Sequence, residues 1–162
     1  MPVRQRIATP EDPRDLPGDF AHRVDIDVRF ADTDAMGHVN NAVYLTYCEM
    51  ARIRYWTDVT GEPVAAGHEG AESLILAEAR ITYRAPVFHT DTVTVETRAT
   101  HIGRSSFTLE HRLTACGPGG TPRLVATSDS VMVRYDYDVD RSAPLGEIFI
   151  GAIETFEGRR LR

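Results

Sequence analysis

At 162 residues, 42% of them hydrophobic and 26% charged, the chain is sized for one domain whose core needs no covalent staples. Its formal charge of −6 argues against nonspecific nucleic-acid binding, and no apolar run is long enough to span a bilayer. Apart from six histidines every basic side chain is an arginine, so a phosphate group would be met by arginine, histidine or backbone. The two cysteines, Cys48 and Cys116, make neither a disulfide framework nor a metal-ligand set, and read as reduced thiols of a cytoplasmic protein.

Residues 1–21 lack the apolar core of a signal peptide and are rich in proline and aspartate, which predicts a flexible lead before a single domain over 22–162. From Arg23 to Phe30 the chain alternates strictly. Val24, Ile26, Val28 and Phe30 share one face, with Asp25, Asp27 and Arg29 on the other, as in a half-buried strand.

The next residues, Ala31-Asp32-Thr33-Asp34-Ala35-Met36-Gly37-His38-Val39-Asn40-Asn41, break that pattern and lead into a helix predicted from Ala42 to Trp56. Asn40 or Asn41 suits its cap. A helix start offers unpaired N–H groups and the positive end of a dipole. A carboxylate beside it can attack, or activate water against, a carbonyl that those N–H groups polarise, which suits acyl transfer. Val43, Leu45, Tyr47, Cys48, Met50, Ala51, Ile53 and Trp56 ring most of the helix, so it is expected to be wrapped by other elements. Glu49 stands out in this helix and has Arg52 as an i+3 partner.

Four strand patterns follow. Leu74–Arg84 sets Ile75, Ala77, Ala79, Ile81 and Tyr83 on one face; Thr92–Thr100 sets Val93 and Val95; Phe107–Ala115 sets Phe107, Leu109 and Leu113; Leu124–Tyr135 sets Val125, Val131, Val133 and Tyr135. Pro86, Asp91, Gly103 and the run Gly117–Pro122 mark turns between antiparallel neighbours. A last helix stripe joins Leu145, Phe149, Ala152, Ile153 and Phe156. One sheet must curl round the first helix to bury it, and its long edge strands invite pairing with a second copy. His111 carries no signal that separates surface from core.

The segment Asp32-Thr33-Asp34-Ala35-Met36-Gly37-His38-Val39-Asn40-Asn41 with Tyr44-Leu45 and Glu49-Met50-Ala51-Arg52, joined by Ile102-Gly103-Arg104-Ser105-Ser106-Phe107, resembles the hotdog-fold thioesterases of the 4-hydroxybenzoyl-CoA thioesterase type, and among them the bacterial acyl-CoA thioesterases. The resemblance covers about Arg23 to Tyr135. It implies an α+β hotdog fold, with one long antiparallel five-stranded sheet wrapped round a central helix and a short C-terminal helix. It also implies dimers or tetramers with active sites between subunits. By the same resemblance Asp34 is the nucleophile or general base, the Asn41 backbone N–H polarises the carbonyl, and His38, Arg104, Ser105 and Ser106 contact an acyl-CoA substrate. No metal and no redox cofactor is implied, nor a nucleic-acid or membrane partner. Met36 stands where plant-type acyl-carrier-protein thioesterases of this fold have a catalytic Asn, and the spacing of Asp34 and His38 does not match the hydratases. A non-catalytic acyl-CoA-binding hotdog module is the alternative. Asp34 beside polarised N–H groups distinguishes the two readings, because a pure binder has no need of it. Asp32 is expected to be a loop acceptor rather than the reacting group.

Overall fold

A computed structural model describes residues 19–61 and 73–162, so the predicted N-terminal lead lies outside the described residues up to position 18. The elements run β1 (His22–Asp27), α1 (Val43–Thr60), β2 (Ser73–Tyr83), β3 (Thr92–Ile102), β4 (Ser106–Cys116), β5 (Arg123–Asp136), β6 (Arg141–Ser142) and α2 (Glu147–Glu157). The strands pair antiparallel in the spatial order β1-β3-β4-β5-β2, with the two-residue β6 on the end of β5. This is the expected hotdog arrangement: a long antiparallel sheet against one main helix, closed by a short second one. No helix among the described residues is long and apolar enough to cross a membrane.

Helix α1 runs four residues further than predicted and stops at Gly61, whose left-handed φ of 74° lets its N–H donate back to the Thr57 carbonyl at 2.8 Å. Its buried face is Tyr44, Tyr47, Cys48, Ala51 and Tyr55. The expectation that it is wrapped on most sides does not hold for one chain. It packs chiefly over β1 and β3 and against α2, leaving Leu45, Met50 and Ile53 38%, 47% and 45% exposed. Phe30 also departs from expectation. The chain leaves the sheet after β1 and forms a 3-10 turn over Phe30–Asp32, which turns the Phe30 ring outward against His89.

Alternation misjudges two faces. A bulge between Leu76 and Glu78 shifts the phase of β2, so Leu74 packs on the core while Ile75 pairs with Val133 on the outer side. In β5 Val125 is buried as expected, the other buried inner residues are Ala126, Ser128, Ser130 and Met132, and Val131 and Val133 lie outward. The outer face carries cross-strand ion pairs, Arg98–Glu110 and Arg112–Glu96, both at 2.7 Å. The Phe20 ring lies over both guanidinium groups, 4.5 Å from Arg98 and 4.4 Å from Arg112.

On the inner face His22, Thr97, His111 and Ser128 are consecutive register partners across β1, β3, β4 and β5, so they form one polar row. The row separates two apolar clusters. One gathers Ile26, Val93, Val95, Leu113 and Ala126 under the first half of α1; the other gathers Tyr55, Ala99, Leu109 and Met132 with Phe149 and Ile153 of α2. The His111 ring bonds Thr97 Oγ1 through Nδ1 at 3.0 Å. His22 Nε2 bonds Asp58 at 3.0 Å.

Burial pushes His111 down to about 3 from an ordinary 6.5, and it pushes His22 down too, against the pull of Asp58. An unfolded chain protonates these rings near pH 6.5, whereas the folded chain resists, so unfolded molecules bind more protons in that window. Stability is therefore complete above about pH 6.5 and falls as pH drops from there toward 3, by up to about 1.4 kcal/mol per pH unit for each such proton. Urea unfolding at pH 7.5, 6 and 5 should show this loss, and His111→Gln should flatten it by close to one proton's worth. An unchanged slope in that variant would mean that His111 is not buried neutral.

Candidate active site

The loop between β1 and α1 is built around one carboxylate. Asp32 is 2% exposed. Its Oδ2 accepts hydrogen bonds from the Arg29 backbone N–H and the Tyr47 hydroxyl, each at 2.9 Å, and its Oδ1 accepts from the Arg29 guanidinium at 2.7 and 3.0 Å. Burial disfavours the charge, but these donors outweigh it and hold the Asp32 carboxyl below its usual range. The Tyr47 hydroxyl is pushed up by its burial and by the same contact. Asp32 has no acceptor capacity to spare for a substrate, as its expected structural role requires.

Two residues on, Asp34 differs. Its Oδ1 accepts from the Met36 N–H at 2.9 Å, while Oδ2 lies 3.7 Å from His38 Nδ1, beyond hydrogen-bond length. The side chain is 25% exposed, so one carboxylate oxygen is anchored and the other is open. The loop is tight: Asp34 N–H donates to the His38 carbonyl at 2.9 Å, Gly37 N–H donates to the Asp34 carbonyl at 3.0 Å, and Thr33 bridges Val39. Gly37 has φ of +83°, a left-handed conformation that makes glycine the residue of choice there.

The cap position of α1 falls on Ala42, which makes no side-chain cap bond, and not on Asn40 or Asn41 as expected. Asn40 instead shapes the turn that precedes the helix. Its N–H is held by the Asp32 carbonyl at 2.8 Å, its side-chain oxygen accepts from Ala42 N–H at 2.9 Å, and its carbonyl accepts from Val43 N–H at 3.0 Å. The Asn41 carbonyl accepts from the Tyr83 hydroxyl at 2.8 Å, its N–H meets no acceptor among the described residues, and the residue is exposed. Tyr83, Tyr47 and Arg29 thus support the loop, roles that sequence spacing did not signal.

Arg104, Ser105 and Ser106 lie elsewhere. They form the β3–β4 turn, closed by Gly103 N–H on the Ser106 carbonyl at 2.8 Å. The Arg104 side chain is exposed and its carbonyl accepts from Leu145 N–H before α2. The Asp34 loop instead docks beside the first residue of β3, through Asp27 opposite Thr92 and Val39 N–H on the Val87 carbonyl. The length of β3 separates the two groups, roughly 30 Å at about 3.3 Å per residue. The structure therefore brings Asp34, His38 and Asn41 together in one chain and leaves Arg104, Ser105 and Ser106 at the far end. The expected Glu49–Arg52 pair forms at 3.5 Å, but Arg52 is the enclosed partner and Glu49 leans into solvent. Among the described residues no three His, Cys, Asp or Glu side chains gather as a metal-binding group.

Known proteins share this architecture. The profile of the thioesterase-like superfamily matches residues 28–152. A thioesterase from Thermus thermophilus, whose structure holds coenzyme A and zinc, shares 39% identity, with 88% of this chain and 98% of that one covered and a TM-score of 0.75. The 4-hydroxybenzoyl-CoA thioesterase of Pseudomonas sp. strain CBS-3 shares the fold at 21% identity, over 80% of this chain and 96% of its own, with a TM-score of 0.71. The 1,4-dihydroxy-2-naphthoyl-CoA hydrolase of Synechococcus elongatus is 27% identical over 124 residues, 74% of this chain and 85% of the relative. Taken with the strand order and the loop that opens α1, these matches mean that the chain belongs to the thioesterase-like superfamily and is a hotdog-fold thioesterase.

Proposed function

We propose that the protein hydrolyses acyl-CoA thioesters, with Asp34 as nucleophile or general base and the Asn41 N–H as carbonyl donor. One observation carries this reading: an Asp34 oxygen without a hydrogen bond, in the loop that leads into a helix start whose Asn41 N–H has no acceptor among the described residues. Coenzyme A as the leaving thiol is supported by the relatives above. In the nucleophilic route Asp34 Oδ2 attacks the thioester carbon, the C–S bond breaks, and the thiolate leaves. Water then cleaves the resulting anhydride to release the acid and restore the carboxylate. In the other route Asp34 takes a proton from the attacking water. In both, charge grows on the carbonyl oxygen, where the Asn41 N–H and the α1 dipole are most useful. His38, whose Nδ1 lies 3.7 Å from Asp34 Oδ2, would contact the same substrate. The free Cys48 and Cys116 fit a reducing, cytoplasmic setting.

Arg104, Ser105 and Ser106 can join this site only from a second chain. The Tyr83 end of β2 lies at Asn41, and the Ser73 end lies by Tyr135, next to the strand residue that binds the Ser105 carbonyl. Antiparallel pairing of two β2 edges about a two-fold axis would set the Asn41 end of one chain beside the Arg104 turn of its partner. The unpaired side of β2 and the exposed Leu45, Met50 and Ile53 of α1 support dimers, or tetramers of such dimers.

Asp34→Asn should fold normally and lose at least ~10²-fold in rate, whereas Asp32→Asn should lose about 1–3 kcal/mol of stability through its broken contacts to Arg29 and Tyr47. Thiol release from a panel of acyl-CoAs, with thermal melts of both variants, checks this. Near-wild-type turnover by folded Asp34→Asn would remove the assignment.

Arg104→Ala should raise KM and leave kcat nearly unchanged on acyl-CoA, with a smaller defect on acyl-pantetheine, which lacks the nucleotide phosphates. An equal loss on both substrates would show that Arg104 does not read coenzyme A.

Co-refolding Asp34→Asn with Arg104→Ala chains tests the shared site. Random pairing makes half the dimers mixed, and each mixed dimer has one intact site of two, so about a quarter of wild-type activity should return at low substrate. No recovery, or an active monomer in sedimentation, would confine the site to one chain.

A further inference from the structure

Arg104 has company at its end of the sheet. The residues after α2 fold back onto the β3–β4 turn. The Ile102 N–H donates to the Leu161 carbonyl at 3.0 Å, and the Arg159 guanidinium donates to the Ala99 carbonyl at 2.9 Å. Glu154 holds the Leu161 N–H at 3.0 Å. The Leu161 side chain is buried in the same apolar cluster as Ile102 and Leu145. Leu145 in turn bonds the Arg104 carbonyl through its N–H, so residues 159–162 and the Arg104 turn form one packed unit.

Leu161 is buried, but Arg160 and Arg162 on either side of it are exposed, as are Arg104 and His101. The acids of this corner are already engaged. Arg162 meets Glu147 at 3.0 Å and Glu154 at 3.7 Å, and Glu157 accepts from the Tyr55 hydroxyl and the Ala99 N–H. Arg104 and Arg160 have no acidic partner among the described residues. They are also near one another. Arg104 is two residues from Ile102 and Arg160 is next to Leu161, so the backbone bond keeps their Cα atoms at most roughly 17 Å apart. Two arginine side chains can close that span around one phosphate.

We propose that Arg160 joins Arg104 in binding the 3′-phosphate of coenzyme A, so that the tail after α2 selects nucleotide thioesters over those of pantetheine carried on a protein. The inference rests on the thioesterase reading for its ligand and on the docked tail for its site. Two unpaired cations fixed side by side on different segments repel each other, and an anion between them relieves this. The 3′-phosphate is a monoester, with close to two negative charges at neutral pH and three strong acceptor oxygens. It matches two guanidinium forks better than either singly charged phosphate of the diphosphate bridge does. Ser105 and Ser106 follow Arg104 in the turn and offer hydroxyls to the same nucleotide.

The test measures KM and kcat for acyl-CoA, acyl-dephospho-CoA and acyl-pantetheine, with whichever acyl group turns over fastest. In the wild type, removing the 3′-phosphate should raise KM by at least about tenfold, as expected for lost hydrogen bonds between charged groups. Arg160→Ala should raise KM for acyl-CoA by a similar factor, with kcat nearly unchanged, and should leave acyl-dephospho-CoA unaffected. Arg160→Lys should keep part of the preference, because it keeps the charge and loses the fork. Independently of turnover, adenosine 3′,5′-bisphosphate should raise the melting temperature of the wild-type protein more than adenosine 5′-monophosphate does. That difference should vanish in Arg160→Ala and in Arg104→Ala. Equal KM values for acyl-CoA and acyl-dephospho-CoA in the wild type would overturn the proposal. So would an Arg160→Ala defect of the same size on both, because Arg160 would then read the diphosphate or only hold the tail. If no thioester is cleaved but the bisphosphate stabilises through Arg160, the phosphate site stands and the thioesterase reading falls. Cleavage that ignores the 3′-phosphate means the reverse.

Discussion

A single buried carboxylate, Asp32, ties together the elements that position the Asp34 loop. It joins the end of β1 through Arg29, the middle of α1 through Tyr47, and the helix start through its own carbonyl on Asn40. A charge enclosed to this degree is tolerated only when its lone pairs are satisfied, and removing a partner would cost several kcal/mol. The chain therefore has one way to pass from sheet to helix here. Asp34 inherits its position from that constraint, since it is held between the Thr33–Val39 bridge and the turn closed by Gly37. The fixed loop also sets where the α1 N–H groups point. Preorganisation of this kind is what makes a backbone donor useful as charge develops.

The single chain is asymmetric from end to end. The Asp34 loop is at one end of the sheet and the exposed Arg104 turn is at the other. Helix α1 sits over β1 and β3, so among the described residues β2 keeps a free edge, and on its inner face Leu76 and Ala79 are exposed while Leu74 and Ile81 pack on the core. These are the two surfaces that an antiparallel partner would close. In the proposed dimer, two-fold symmetry would join unlike ends twice.

Much of this is legible from residue patterns. The five main strands, both helices and the polar loop before α1 follow from alternation, turn residues and the run of polar residues there, while the two-residue β6 does not. Spacing separates the roles of Asp32 and Asp34 only weakly, because both sit in the same loop and only burial tells them apart. The inner face of β5 is misread for a physical reason. Alternation assumes that buried positions are apolar, and here Ser128 and Ser130 face inward while Val131 and Val133 face out. His111 is opaque for the same reason, since nothing local announces that Thr97 and Ser128 flank it across the sheet. The phase shift of β2 at Leu76 and Glu78 is likewise invisible, because a bulge is set by pairing with β5 and not by the strand's own residues. Arg104 stands out in its turn, but its distance from Asp34 emerges only once the strands are laid side by side.

The polar row has a consequence for how this protein tolerates change. It is a seam between two separate apolar clusters, one under the first half of α1 and one under α2. Substitutions on opposite sides of such a seam act on separate packing problems, and their energetic effects add. The half beneath α2 can then drift in side-chain volume without disturbing the loop that carries Asp34. A fold built this way lets selection reshape one end for stability and the other for substrate, with little interference between them.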